Sequence, residues 1–213
     1  MNTNAAVEVD RRSRRRQETI DEILDVALEL MAADGVAALS LSAVARRVGM
    51  QPPSLYQYFG SKMAIYDALF QRGAEAVLAV QRAVRATVSD PAREREVVIT
   101  AFCRWCVENP VYSQLLFWRT VPGFEPSAAA FAPMVTMVAD GRAELRSSVD
   151  AGQLHPDAAS DQGIDLFTSL VAGLLSQQLA NDPDASFEDG RYMRLLPTVL
   201  EMFDERYRPR GKP

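Results

Sequence analysis

SLSAVARRVGMQPPSLYQYFGSK, residues 40–62, decides how the rest of the chain is read. Leu41, Val44, Ala45 and Val48 recur at helical spacing, so the first part predicts a short helix with one buried face. Ser40 stands ahead of it as an N-cap. Gly49 breaks the pattern where a turn needs a left-handed residue. Pro52 suits the first position of a second helix, where its missing N–H costs nothing. Leu55 and Phe59 lie four apart and pack back on the first helix. Two short helices joined by a Gly-containing turn of this length make a helix-turn-helix unit.

The flanking sequence supports that unit. Ile20, Ile23, Leu24, Ala27, Leu28 and Met31 recur at three and four, which predicts an amphipathic helix over residues 18–34, stopped by Gly35. Ser61 caps a longer helix carrying Ile65, Leu69, Ala76 and Val80 onward to about residue 88. Residues 1–10 show no periodicity and are expected to lack structure. Arg11, Arg12, Arg14, Arg15 and Arg16 follow. The formal net charge is -5, so a nucleic-acid binder must gather its positive charge locally, as this run does. A solvated charge run is the bland alternative; beside a helix-turn-helix, a basic arm along phosphates or in a minor groove is favoured.

In a helix-turn-helix the exposed N-terminal residues of the second helix reach base edges in the major groove. Here those are Gln51, Pro53, Ser54 and Gln57, with Leu55 turned inward. Glutamine pairs bidentately with adenine, and serine pairs with several base edges.

The segment Leu55-Tyr56-Gln57-Tyr58-Phe59-Gly60-Ser61-Lys62 exceeds what a generic helix-turn-helix requires. With the spacing from Ser40 to Pro52, it resembles the DNA-binding region of TetR/AcrR-type transcriptional regulators, over about residues 18–70. By that resemblance Tyr56 and Lys62 match positions that hold phosphates, and Ser40 and Ser42 are placed to do the same. Gln51 stands where many members carry Ser, and Pro53 where they carry Gly or Ala. The resemblance implies an all-α chain of about nine helices that binds a palindromic double-stranded DNA operator as a homodimer. It also implies a repressor that responds to a small molecule, without catalytic residues, metal or cofactor.

The remaining chain reads as helices over residues 91–109, 111–119, 127–151, 157–181 and 187–206, the third bent near Pro133, with a loop over 121–126. The expected organisation is a flexible basic arm (1–17), a helix-turn-helix domain (18–62) and a helical ligand-binding and dimerisation domain (63–213). The apolar positions Phe102, Trp105, Phe117, Trp118, Phe124, Met134 and Met137 are candidates for an effector pocket suited to an apolar or aromatic molecule. Ordinary core is the competing role for each of them. Of the last two helices, one carries Leu166, Leu170, Leu174 and Leu175 and the other Leu196, Val199, Leu200 and Phe203. One apolar face packs inside the subunit, and a surplus face would pack against a second copy.

Cys103 and Cys106 are spaced as a pair, but a single His155 elsewhere cannot complete a zinc site, so buried helical thiols are expected. No apolar run approaches the roughly 18 residues of a membrane span, and no signal peptide precedes the arginines, which points to a cytoplasmic protein with no membrane partner. Two other functions compete with the regulator: a helical enzyme and a ligand-free DNA-binding scaffold. Against the enzyme, the chain shows no nucleophile–His–carboxylate set and no Gly-rich phosphate loop.

Overall fold

The computed structural model describes residues 3–209. Met1 and Asn2, the start of the segment expected to lack structure, lie outside them, as do residues 210–213 of the expected second domain. Among the described residues the protein is all-α. The helices are α1 (Thr3–Asp34), α2 (Leu41–Val48), α3 (Pro52–Leu55), α4 (Lys62–Arg85), α5 (Pro91–Glu108), α6 (Pro110–Phe117), α7 (Ala128–Asp150), α8 (Asp161–Asn181) and α9 (Leu196–Arg206). Short 3-10 turns precede α2, α8 and α9.

The first helix differs from expectation. It begins at Thr3, so the arginines lie on a helix that continues into the core, in place of a flexible arm. The physical reason is local. No Gly or Pro interrupts residues 3–34, and Ala, Glu and Arg are strong helix formers. Side chains brace the exposed turns: Arg14 lies 3.8 Å from Glu18, and Gln17 Nε2 donates to Asp21 Oδ1 at 3.1 Å.

The chain divides into two units. The first comprises Met1–Gln71 and Gln114–Ala130, the second Arg72–Ser113 and Phe131–Pro213. The expected boundary after Lys62 lies at the start of α4, inside the first unit, and a later segment joins the helix-turn-helix. The first unit's core gathers Ile23, Ala27 and Met31 from α1, Val44 and Ala45 from α2, Leu55 from α3, and Ile65 and Leu69 from α4. Full burial of each large apolar side chain contributes about 1.5–3 kcal/mol before entropy is counted. Tyr66 is wholly buried, and its hydroxyl donates to the Val36 carbonyl at 2.6 Å, satisfying a polar group that burial would otherwise penalise. Burial pushes the Tyr66 phenol above its ordinary pKa.

Residues 114–130 join this unit through α4. Phe124 packs against Tyr66 and Phe70, with ring centroids 5.7 and 6.2 Å away. Asp67 accepts from the Ser127 N–H (2.7 Å) and hydroxyl (2.8 Å), while Ser127 Oγ accepts from Ala130 N at the entry to α7.

In the second unit, α8 packs on α5 and α9. Leu145, Leu154, Ala158, Phe203 and Tyr207 form one buried cluster, with Leu166, Phe167 and Leu170 against it. Arg85 joins Glu94 and Glu144 at 2.8 Å each, tying α4 to α5 and α7. The last helix starts later than expected, at Leu196. Gln178, wholly buried on α8, explains this. Its amide donates to the Asp182 carbonyl (2.6 Å) and accepts from Tyr192 N (3.1 Å), so residues 182–192 fold around it as turns. Helix α7 is continuous through Pro133.

Cys103 and Cys106 are free, buried side chains on α5. Burial pushes the Cys103 thiol far up, and pushes Cys106 up to about 12, with Ser113 pulling weakly the other way. Only the thiolate attacks disulfides, so both thiols should be inert in the folded protein. Ellman's reagent at pH 8 is expected to titrate neither until denaturant is added. Fast reaction of the native protein would contradict the buried placement.

Candidate nucleic-acid interface

The candidate surface is built from a turn that only glycine makes easily. Gly49 adopts φ 74° and ψ 24°, and its N–H donates to the Arg46 carbonyl. Met50 N donates to the Ala45 carbonyl at 2.8 Å, closing α2. At the other end of α2, Ser40 Oγ accepts from Ala43 N at 3.5 Å and lies 2.9 Å from Ser42 Oγ, leaving both hydroxyls at an exposed helix N-terminus. Such an end carries free N–H groups and a partial positive charge, which suits phosphate.

Helix α3 begins at Pro52. Gln51 is its N-cap residue by backbone alone: its carbonyl accepts from Ser54 N at 2.9 Å, and its side chain makes no capping bond. The Gln51 amide is therefore not spent on the helix. Gln51, Pro53 and Gln57 are exposed, Ser54 is half-buried, and Tyr56 is 54% exposed. Leu55 is 1% exposed and Phe59 is buried, so the helix is anchored by its apolar side and shows its polar side outward. Ser61 Oγ accepts from Ala64 N at 3.2 Å, the cap that starts α4, and Lys62 stands in that first turn.

The structure thus brings Ser40, Ser42, Gln51, Pro53, Ser54, Tyr56, Gln57 and Lys62 into one unit, mostly at its surface. Of the neighbouring arginines, Arg47 is paired with Glu29 at 3.2 Å, and Arg46 is exposed. Arg11, Arg12, Arg14, Arg15 and Arg16 are all exposed on α1.

Two features escaped the sequence reading. Arg16 Nη2 donates to the Gln57 carbonyl at 3.1 Å, and its guanidinium lies 4.9 Å from the Tyr58 ring centroid. The signal was present: Arg16 precedes Ile20 by four and Ile23 by seven, so it lies on the line of the core-facing stripe. The second is Asp67, whose partner Ser127 is sixty residues away and invisible to local pattern.

The seven candidate effector residues do not fall in one unit. Phe102, Trp105 and Met134 are buried and Met137 half-buried in the second unit. Trp105 packs against Tyr112 with ring centroids 6.0 Å apart. Phe117, Trp118 and Phe124 are half-buried in the first, where Phe117 and Trp118 meet edge to face at 6.1 Å. Phe124 also borders an open cleft of about 560 Å³ in the first unit, with Met63, Asp67 and Arg119 on its walls.

Comparison with known proteins agrees with this geometry. The sequence model described as "Bacterial regulatory proteins, tetR family" matches residues 23–69. The tetracycline repressor protein class C of Escherichia coli is 30% identical over 169 residues, covering 78% of this chain and 68% of that protein. The HTH-type transcriptional regulator Mb1846 of Mycobacterium bovis is 29% identical over 132 residues, covering 61% of this chain. The chain spans a little over half of that relative's length, 56%. The crystal structure of the TetR family transcriptional regulator PfmR from Thermus thermophilus shares the fold at a TM-score of 0.68 and 20% identity, over 86% of this chain and 97% of that one.

Proposed function

Because the chain belongs to the TetR family of bacterial regulatory proteins, we propose that it is a transcriptional repressor that binds a near-palindromic DNA operator as a homodimer and releases it on binding a small molecule. The observation that carries this reading is the two-sided α3: Leu55 and Phe59 hold it from behind while Gln51, Pro53, Tyr56 and Gln57 stand in solvent. Gln51, Ser54 and Gln57 would read base edges, whereas Ser40, Ser42, Tyr56 and Lys62 would hold phosphates and set register. The exposed arginines of α1 would gather positive charge locally on a chain whose net charge is -5.

Self-association is supported by the outward side of the last two helices. The apolar side chains expected to serve it are largely used within the subunit, since Leu174, Leu175, Leu196, Leu200 and Phe203 are buried. What remains outward is Leu195 (48% exposed) just before α9 and Met202 (58% exposed) on it, with Thr168, Ser169, Ala172 and Gly173 on α8. Small residues let a second copy approach closely, and a two-fold dimer would repeat α3 on a palindrome. An apolar or aromatic effector is the ligand class proposed: Phe102, Trp105, Met134 and Met137 would suit it in the second unit, and Phe117, Trp118 and Phe124 in the first. Its action requires different affinity for the DNA-competent and the released state. Among the described residues no helix is long and apolar enough to cross a membrane, and the place of action proposed is the cytoplasm, where the DNA lies.

A salt-titrated gel shift on the DNA upstream of its own gene tests the reading. Binding is expected to prefer that DNA over random sequence, to take two chains per site, and to weaken linearly in log–log salt plots. Binding without sequence preference, or independent of salt, would remove the proposal.

A further inference from the structure

We propose that Arg16 acts in DNA readout as a positioning residue for the C-terminal end of α3, and not as one of the phosphate-binding arginines beside it; the proposal rests on the DNA-binding reading above. Helix α3 is one turn long, too short to be stable on its own. Its N-terminal side is fixed by the rigid Pro52–Pro53 entry and the Gly49 turn. Its C-terminal side runs into turn residues Tyr56, Gln57 and Tyr58, and the last carbonyls of a helix have no partner within it. Arg16 supplies one to the turn that follows. Its Nη2–H bonds the Gln57 carbonyl at 3.1 Å, and the guanidinium lies over Tyr58 at 4.9 Å. One side chain from α1 therefore holds two successive residues at the end of the recognition segment.

Both residues it holds adjoin the proposed contacts: Gln57 is itself a base reader, and Tyr56 precedes it. A fork that donates to a carbonyl while stacking on a ring is something arginine does and lysine does not. Among the described contacts Arg11, Arg12, Arg14 and Arg15 make no such bond to α3, so charge alone does not describe the run. Arg16 is placed on the core-facing line of α1, and the arginines before it are a separate, purely electrostatic contribution.

The test compares Arg16→Lys, Arg16→Gln and Arg12→Gln in the full chain, with gel shifts on operator and random DNA across a salt series and a melting curve for each. For Arg16→Lys the operator affinity is expected to fall about tenfold, while random-DNA affinity, the salt slope and the melting temperature stay at parental values, because non-specific binding is electrostatic. Arg16→Gln is expected to match it, again with the parental slope. Arg12→Gln should instead lower the slope by about 0.9 per subunit and weaken both DNAs alike. Adding Tyr58→Leu to Arg16→Lys should cost little more than the worse single variant, because the two side chains act as one contact. Parental operator affinity in Arg16→Lys would overturn the positioning role, and so would a slope lowered in Arg16→Gln as in Arg12→Gln. An equal loss on both DNAs with a lower melting temperature would also overturn it, as a folding defect. If the parent protein itself prefers no sequence, the DNA-binding reading falls first. If the parent binds its operator and Arg16→Lys equals it, only the role of Arg16 falls.

Discussion

Gln57→Ala is expected to weaken operator binding by about a hundredfold or more while leaving the salt slope unchanged. Gln57 is exposed, and its amide has base-pairing geometry that matches adenine in the major groove. A good bidentate contact is worth about 1–3 kcal/mol, and a homodimer on a palindrome loses it twice. No phosphate contact is lost, so the number of released counterions stays the same. The fold is spared, because alanine keeps the backbone carbonyl that Arg16 holds and favours helix more than glutamine does. Discrimination should relax at one base pair in each half-site, which a panel of single-base operator variants would reveal. Unchanged operator affinity, or a lowered slope, would reassign Gln57 from base reading to another role.

The largest effect on stability is expected at Gly163, on the first turn of α8. A Cβ there would stand 2.3 Å from the Ala158 carbonyl oxygen and 2.6 Å from that of Asp157. Both belong to the 3-10 turn Pro156–Ala159, which cannot retreat easily. Ala158 is wholly buried, and Ser160 Oγ donates to the Asp157 carbonyl at 2.6 Å and accepts from Gly163 N at 3.1 Å. His155 N also donates to the Tyr207 carbonyl at 2.7 Å, fastening the turn to the end of α9. Alanine for glycine in a helix gains about 1 kcal/mol, whereas forcing backbone apart in a packed interior costs about 1–3 kcal/mol, occasionally more. The clash is with backbone oxygens on two residues, so the cost wins at the upper end of that range. Gly163→Ala is expected to lower stability by about 2 kcal/mol and the melting temperature by about 4–8 °C. Gly141 on α7 is the contrast: a Cβ there meets nothing within 4 Å, so the same exchange should be neutral or mildly stabilising. A Gly163→Ala variant as stable as the parent would mean that the turn under α8 yields.

The helix-turn-helix was legible because its determinants are local. The α2 stripe, the Gly49 turn, the Pro52 entry and the inward Leu55 and Phe59 all act within a few residues of one another. The caps at Ser40 and Ser61 are legible for the same reason. Charge suggests a flexible segment over residues 1–17, whereas residues 3–34, with no Gly or Pro to interrupt them, form one helix, α1. The start of α9 lies later than the spacing predicts because a buried Gln178, far back on α8, organises the segment before it.

Periodicity and turn chemistry, then, are enough to set the all-α class, the second helix of the helix-turn-helix and the residues around it that stand in solvent, since each depends on neighbours three or four positions away. Tertiary structure alone decided that Arg16 grips the Gln57 carbonyl just beyond α3 and that Asp67 fastens Ser127. Those contacts join residues brought together only by burial of the cores, and no spacing along a chain encodes a distance of that kind.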